Sequence, residues 1–407
     1  MGVLTKSLQK ESAKTNKRDD YSAADLMHVP TGFDAIDYEG GTIVEDIDGD
    51  PMLNIGLPMG KIILCCGNSQ AGKTTGALQF ANGMASHLDG DVVIFDFERG
   101  ILDPRSRIRN LCRLSNDEYD NRFTIYKNAG MSVEFFKKQI FKIVELKEKL
   151  AKADMVDWYM LNGAPVKIYP PTYVLLDSIP SMKPEDVLND SSLDNNMVFS
   201  KMAAANSAML TSIVNVLEKY NITLICINHI TTKIIINAYG PRKVLLPGME
   251  PEENLPGGNK FVYLPSYVLK FASGKALNKD KDFKVNGRVT NCTFLKSRSS
   301  FNGAKLPLAV TEKHGFSNVM TNILAMKEEK MLKGTGQGGF WFEGHEDMKF
   351  KQSEFIKKYN KDTEFQEMFD EVSSEFWQGR LEDRFGDEYD SVEKSKGNDF
   401  DDDDDDE

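Results

Sequence analysis

Eight residues, GNSQAGKT from Gly67 to Thr74, satisfy the pattern GxxxxGK[ST] in full. The pattern follows an apolar run, KIILCC, and opens an amphipathic stretch, TGALQF. Strand, glycine-rich loop and helix is the context in which such a loop holds phosphates. Gly67 and Gly72 let backbone N–H groups turn inward, with Asn68, Ser69, Gln70 and Ala71 forming the bend. Lys73 then reaches the terminal phosphates. The Thr74 hydroxyl suits Mg²⁺, and Thr75 lies in the first turn of the helix, whose N-terminus favours anions.

A magnesium–phosphate site needs a supporting carboxylate, and hydrolysis needs a group that activates water. YVLLDS offers Asp177 at the end of an apolar strand, followed by Ser178. VVIFDFERG places Asp96 and Glu98 at the end of another. Strand C-termini line the ligand crevice of a parallel sheet. Glu98 is the first candidate for general base and Asp96 the second, against a capping or salt-bridging role for either. NITLICINH ends at Asn228 and His229, polar residues where a strand end can touch a terminal phosphate. A lone histidine is more often structural, so these two are candidates only in company with the loop.

These residues require elements to hold them. KIILCC (61–66), DVVIFDF (91–97), YVLLD (173–177), ITLICI (222–227) and YVLKFA (267–272) are short and rich in β-branched residues. They read as buried strands of a mostly parallel sheet. Between them, stretches 75–88, 134–150 and 197–220 repeat apolar residues at helical spacing. The alternation predicts an open α/β sheet covered by helices on both faces. After about residue 312 the texture changes. TNILAMKEEKMLK reads as a helix, GTGQGG as a turn, FWFEG as a short strand, and the remainder to about 390 as a small, largely helical domain.

The 407 residues are 41 % hydrophobic, enough for one large core and a smaller one. The net charge is −12, but eight of the last nine residues are acidic, so the body carries only −4. That balance leaves room for a local basic stripe and does not exclude nucleic acid. Five cysteines with no CxxC spacing point to a reduced, intracellular protein without structural zinc. The polar N-terminus has no signal-peptide core, and no run of about 18 apolar residues predicts a membrane span.

The ordered series of motifs resembles the RecA-type recombinases, most closely their bacteriophage UvsX-like branch. It runs PTGFDAID (Pro30 to Asp37), GLPMG (Gly56 to Gly60), the phosphate loop and FDFE (Phe95 to Glu98). LLDS (Leu175 to Ser178), INH (Ile227 to His229), PGGN (Pro256 to Asn259) and FLKSR (Phe294 to Arg298) follow. The resemblance covers roughly residues 28–335. It implies a RecA-like P-loop ATPase core over 28–312; the texture of the chain adds an N-terminal arm over 1–27 for subunit contact, a small C-terminal domain over 313–390 and a disordered acidic tail over 391–407.

The resemblance further implies ATP and Mg²⁺ as ligands, with Asp177 supporting the metal, Glu98 activating water and Asp103 at the adenine. His229 stands at the switch linking the terminal phosphate to DNA binding, and Lys296 and Arg298 cross to the ATP of a neighbouring subunit. Two DNA-binding loops are implied. One lies near 183–197, with Met197 its apolar contact. The other runs from about 230 to 258, with Lys233, Tyr239, Arg242 and Lys243 as contacts and Gly257, Gly258 and Asn259 at its return. The partners implied are single-stranded and homologous duplex DNA, other copies of the chain in a filament, and single-strand-binding or loading proteins in a bacterial cytoplasm infected by phage. Three features depart from the family: the long second loop, an extra stretch near 145–167, and an adenine pocket without an evident stacking aromatic. The acidic tail reads either as a solvated end or as a phosphate mimic that competes for the DNA loops or docks on a basic partner. A hexameric helicase on the same fold, and a recombination regulator with weak ATPase activity, are the alternative functions.

Overall fold

The computed structural model describes residues 25–190, 195–232, 244–277, 283–298, 302–336 and 338–385. The tail, most of the N-terminal arm, and Lys233, Tyr239, Arg242 and Lys243 lie outside the described residues.

A nine-stranded mixed sheet organises the chain. Its strands in chain order are β1 (Ile62–Gly67), β2 (Asp91–Asp96), β3 (Phe123–Tyr126), β4 (Thr172–Asp177) and β5 (Ile222–His229). They continue with β6 (Tyr267–Ala276), β7 (Gly287–Lys296), β8 (Lys305–Thr311) and β9 (Gly315–Phe316). The spatial order is β9-β8-β7-β6-β1-β5-β4-β2-β3. From β6 through β3 all neighbours are parallel; β7, β8 and β9 extend the β6 edge in antiparallel fashion. The sheet is therefore α/β and mixed, with a parallel centre.

The period-2 alternation of strand side chains sorts the apolar runs to two faces. Ile63 and Cys65 of β1 join one buried cluster, and Ile62, Leu64 and Cys66 join the other. Helix α1 (Lys73–His87) covers the first face with Leu78, Phe80, Ala81 and Met84, assisted by Ile108 of α2 (Pro104–Cys112). Helices α3 (Val133–Lys147) and α4 (Asn195–Lys219) cover the second with Phe136, Ile140, Met209, Ile213 and Leu217. Burial on both faces explains why the central strands read as continuous apolar runs. Helix α4 is the one helix among the described residues long and apolar enough to cross a membrane, with a mean hydropathy of 1.2. Its apolar residues at helical spacing lie against the sheet.

The extra stretch near 145–167 contains a hairpin, Val156–Tyr159 with Pro165–Ile168. It grips the beginning of the described chain: Trp158 Nε1 donates to the Met27 carbonyl at 3.0 Å, and the Met27 N–H donates to the Tyr159 carbonyl at 3.0 Å.

Helix α5 (Asn318–Glu328) starts at Ser317, whose hydroxyl accepts the Met320 N–H at 3.3 Å. The predicted helix of TNILAMKEEKMLK thus stops early: Lys333–Thr335 pairs with Gly339–Trp341 as a hairpin. A third apolar cluster gathers Phe342, Phe350, Phe355, Phe365 and Phe369 around α5 and α6 (Thr363–Phe385). Helix α6 also returns to the main core through Trp377 and Leu381, and Arg384 Nη1 pairs with Glu39 at 2.8 Å.

Candidate functional site

The phosphate loop joins β1 to α1 at the C-terminal end of the parallel strands. Gly67 has φ +147, and a Cβ there would lie 2.1 Å from the Phe271 carbonyl oxygen on β6. Only glycine lets the loop leave the sheet this close to its neighbour. Lys73 is buried at the start of α1 and folds back over the loop, its Nζ donating to the Asn68 carbonyl at 2.7 Å. Burial lowers its pKa, while Asp177 and Glu98 act to raise it.

Across the cleft, Thr74 Oγ1 donates to Asp177 Oδ2 at 2.9 Å. Burial pushes the Asp177 carboxyl up to about 6; the Thr74 hydrogen bond opposes this and the Glu98 charge adds to it. The charge of His229 also acts to lower it, but burial outweighs both. Among the described residues no group of three or more His, Cys, Asp or Glu is arranged to hold a metal. A magnesium ion carried by phosphates needs only one or two protein oxygens, and the Thr74–Asp177 pair supplies that set.

Glu98 follows β2. Its Oε1 accepts from the Ser178 hydroxyl and lies 2.9 Å from His229 Nε2. Burial acts to raise its pKa, but the bonds from Ser178 and His229 and the nearby positive charge outweigh it, and the net shift is downward. The Asp177–Ser178 peptide is cis. Asp96 is used differently: its two oxygens accept the Gly100 and Ile101 N–H groups at 3.1 and 3.2 Å, which holds the turn carrying Glu98. Of the two acids considered for the base, Glu98 is the one with its carboxylate in the cleft.

The pair at the end of β5 divides its work. His229 sits between the acid and the lysine, its Nδ1 3.5 Å from Lys73 Nζ. Asn228 is buried and turned the other way: its Nδ2 donates to the Pro256 carbonyl at 2.8 Å. Thr231–Thr232 and Glu253–Asn254 pair antiparallel and close the base of the second loop. Gly257 has φ +103, and a Cβ there would lie 2.2 Å from Ile179 Cγ2, just after the Asp177–Ser178 pair. Gly258 lies against Ala203 and Ser207 of α4, and Asn259 begins the short helix Lys260–Tyr263. The end of the second loop is thus seated on the segments that hold Glu98, Asp177 and His229.

The first loop region contains the short helix Glu185–Asn189 and the start of α4, where Met197 and Phe199 are exposed. Lys296 and Arg298 are not brought to the phosphate loop of their own chain. Lys296 pairs with Val268 of β6, which pairs with Leu64 near the start of β1, whereas the loop begins at Gly67. That difference is about 10 Å along the strands and two strands across. Lys296 Nζ instead donates to the Tyr263 carbonyl at 2.6 Å, and burial followed by the Arg298 charge lowers its pKa.

A cleft of about 460 Å³ is lined by Lys73, Thr74, Glu98, Asp177 and His229, with Ser69, Gln70 and Gly72 at its rim. A second cleft of about 690 Å³ lies beside it, with Asp103 and exposed Leu102 on one wall and Thr311, Glu312 and Lys313 on the other. Thr75, Arg107 and Arg288 line both, so the two form one groove leading away from the phosphate loop. Asp103 caps α2, its carboxylate accepting the Ser106 N–H at 3.4 Å. Arg107 and Arg288 are additions to the residues expected from sequence. The first carries a signal, since Asp103, Ser106, Arg107 and Asn110 fall on one helical face. The second carries none, because the register of an antiparallel strand is not written in its own residues.

No family model matches this chain, and no curated protein matches it at a significant level.

Proposed function

We propose that the chain is an ATP-dependent homologous recombinase with a RecA-like core. It forms a filament on single-stranded DNA, hydrolyses ATP between neighbouring subunits and pairs the bound strand with a homologous duplex. The observation that carries the reading is the meeting of Lys73, the Thr74–Asp177 pair and the Glu98–His229 pair in one cleft, next to the seated end of the second loop.

In this reading the loop N–H groups and Lys73 hold the phosphates of ATP. Thr74 and Asp177 would hold Mg²⁺, which when bound would supply positive charge against the phosphates. Glu98, kept ionised by its two hydrogen bonds, takes a proton as water adds to the γ-phosphorus and the bond to the bridging oxygen breaks. His229 exchanges its contact with Glu98 for one with the γ-phosphate, and Asn228 carries the movement to Pro256 and the second loop. Lys296 and Arg298 of the adjoining subunit stabilise charge on the transferring phosphoryl group, which makes turnover depend on assembly.

The test is ATP hydrolysis with and without single-stranded DNA, for wild type and Lys73→Ala. Strong stimulation by single strands, lost in the variant, supports the recombinase. Hydrolysis indifferent to DNA, or unwinding of a forked duplex, favours another ATPase on the same fold.

A further inference from the structure

Two guanidinium groups stand at the junction of the phosphate cleft and its neighbour, those of Arg107 and Arg288. Among the described residues neither forms an ion pair, and Arg288 makes one hydrogen bond, from Nη2 to the Gln70 carbonyl oxygen. Gln70 is the apex of the phosphate loop and has φ +60. Arg288 thus holds the loop at Gln70 while lining the cleft. A guanidinium has five N–H donors in a planar fork, so most remain available on the cleft side.

The charge of the site calls for such a group. A magnesium-bound nucleoside triphosphate stays negative after Lys73 is counted, and Glu98 and Asp177 add negative charge to the same cleft. Lys296 and Arg298 lie at the far end of β7, away from this chain's loop. Arg288 sits at the opposite end of that strand, beside the loop.

We propose that Arg288 is a phosphate-binding residue supplied by the same subunit that supplies the phosphate loop. It fixes the Gln70 carbonyl with one arm of its fork and takes a phosphate oxygen of a nucleoside di- or triphosphate with another. The proposal rests on the reading of the cleft as a nucleotide site and adds a division of labour along β7. Arg288 at one end sets affinity in a single subunit; Lys296 at the other acts only on a neighbour.

The experiment is calorimetric titration of the full chain, dilute and without DNA, with Mg²⁺ and either ADP or inorganic tripolyphosphate. Arg288→Gln weakens both ligands by about tenfold or more, the worth of one charge-assisted hydrogen bond. Lys305→Ala, which removes an exposed cation on β8, binds both as wild type does. Arg288→Gln affinities within twofold of wild type overturn the proposal. So does a loss confined to ADP, which places the contact on the nucleoside. Should Arg288→Gln lower the melting temperature of the unliganded chain, Arg288→Lys carries the test: a several-fold loss supports the fork contact, and wild-type affinity overturns it. A wild type that binds neither ligand sinks the nucleotide reading itself, an outcome distinct from the failure of Arg288 alone.

Discussion

Glu98 and His229 meet over the strand that lies between their own, with His229 Nε2 2.9 Å from Glu98 Oε1. The bridge passes above Asp177, the last residue of the intervening strand β4. The other ring nitrogen of His229 is 3.5 Å from Lys73 Nζ, so one imidazole touches both Glu98 and Lys73. Glu98→Gln keeps the size of the side chain and an oxygen for hydrogen bonding but cannot take a proton from water. It is expected to lower kcat by about 10²- to 10⁴-fold while nucleotide affinity stays within a few-fold. Steady-state hydrolysis together with nucleotide titration separates the two quantities. Equal loss of both would mean that Glu98 shapes the cleft rather than acting on water.

The remoteness of Lys296 from its own phosphate loop leads to a complementation experiment. In the proposed filament, Lys296→Ala and Glu98→Gln would each remove one half of a site built from two subunits. Either variant alone is expected to hydrolyse ATP at least about 10³-fold more slowly than wild type on single-stranded DNA. A random equal mixture restores intact sites wherever an unaltered Glu98 faces an unaltered Lys296, which gives about a quarter of wild-type turnover. A mixture as inactive as its components would remove Lys296 from any role across the interface.

The site was legible in the sequence to the extent that local pattern encodes it. Gly67 to Thr74 fix their own geometry through the order of residues in the loop, and Glu98, Asp177 and His229 end apolar runs that parallel packing brings to one edge. The five strands predicted for the sheet all lie in its parallel part, and FWFEG contributes to a separate hairpin. The antiparallel strands β7, β8 and β9 were not legible. Their residues alternate less cleanly: in β7 Arg288, Asn291 and Thr293 are part-exposed, while Thr290 puts a hydroxyl at a buried position. With them Arg288 and the Thr311–Lys313 wall were missed. The extra stretch near 145–167 gave no reading because its hairpin is stabilised by Met27, more than a hundred residues away. The sequence ranks Asp96 behind Glu98 as the base and leaves Asn228 and His229 unranked. Only geometry separates Asp96, which holds a turn, from Glu98, which faces the cleft.

Gly257 seats the end of the second loop on the segment that follows Asp177 and Ser178 by an absence of side chain. A methyl group there would lie 2.2 Å from Ile179 Cγ2, in a backbone conformation that L-residues rarely adopt. Gly257→Ala is therefore expected to cost about 1–3 kcal/mol of stability in urea unfolding. The larger effect falls on coupling. Nucleotide affinity is retained, since Lys73 and Thr74 do not touch this turn, while stimulation of hydrolysis by single-stranded DNA is lost. A variant that is destabilised yet fully stimulated would show that the turn is a structural seat only.

Two buried groups near the beginning of the described chain titrate against each other. Burial holds the His28 imidazole down at about 4, against 6.5 ordinarily, with a partly compensating contact to the Gly56 carbonyl. Burial also raises the Asp37 carboxyl to about 7 from 3.8, opposed by hydrogen bonds from Thr31 and Gly32. The Asp37 shift stabilises the fold fully below about pH 4, and that contribution is lost as pH rises through 7. The lowered His28 pKa acts in reverse: its contribution is complete above 6.5 and is lost as pH falls toward 4. Each trend amounts to about 1.4 kcal/mol per pH unit, so over pH 4 to 6.5 they largely cancel. His28→Gln removes one side of the balance. Relative to wild type, the variant should gain about 3 kcal/mol of unfolding free energy as pH falls from 6.5 to 4, measured by urea titration at both ends. A difference between variant and wild type that does not change with pH would show that His28 is not held neutral by its burial.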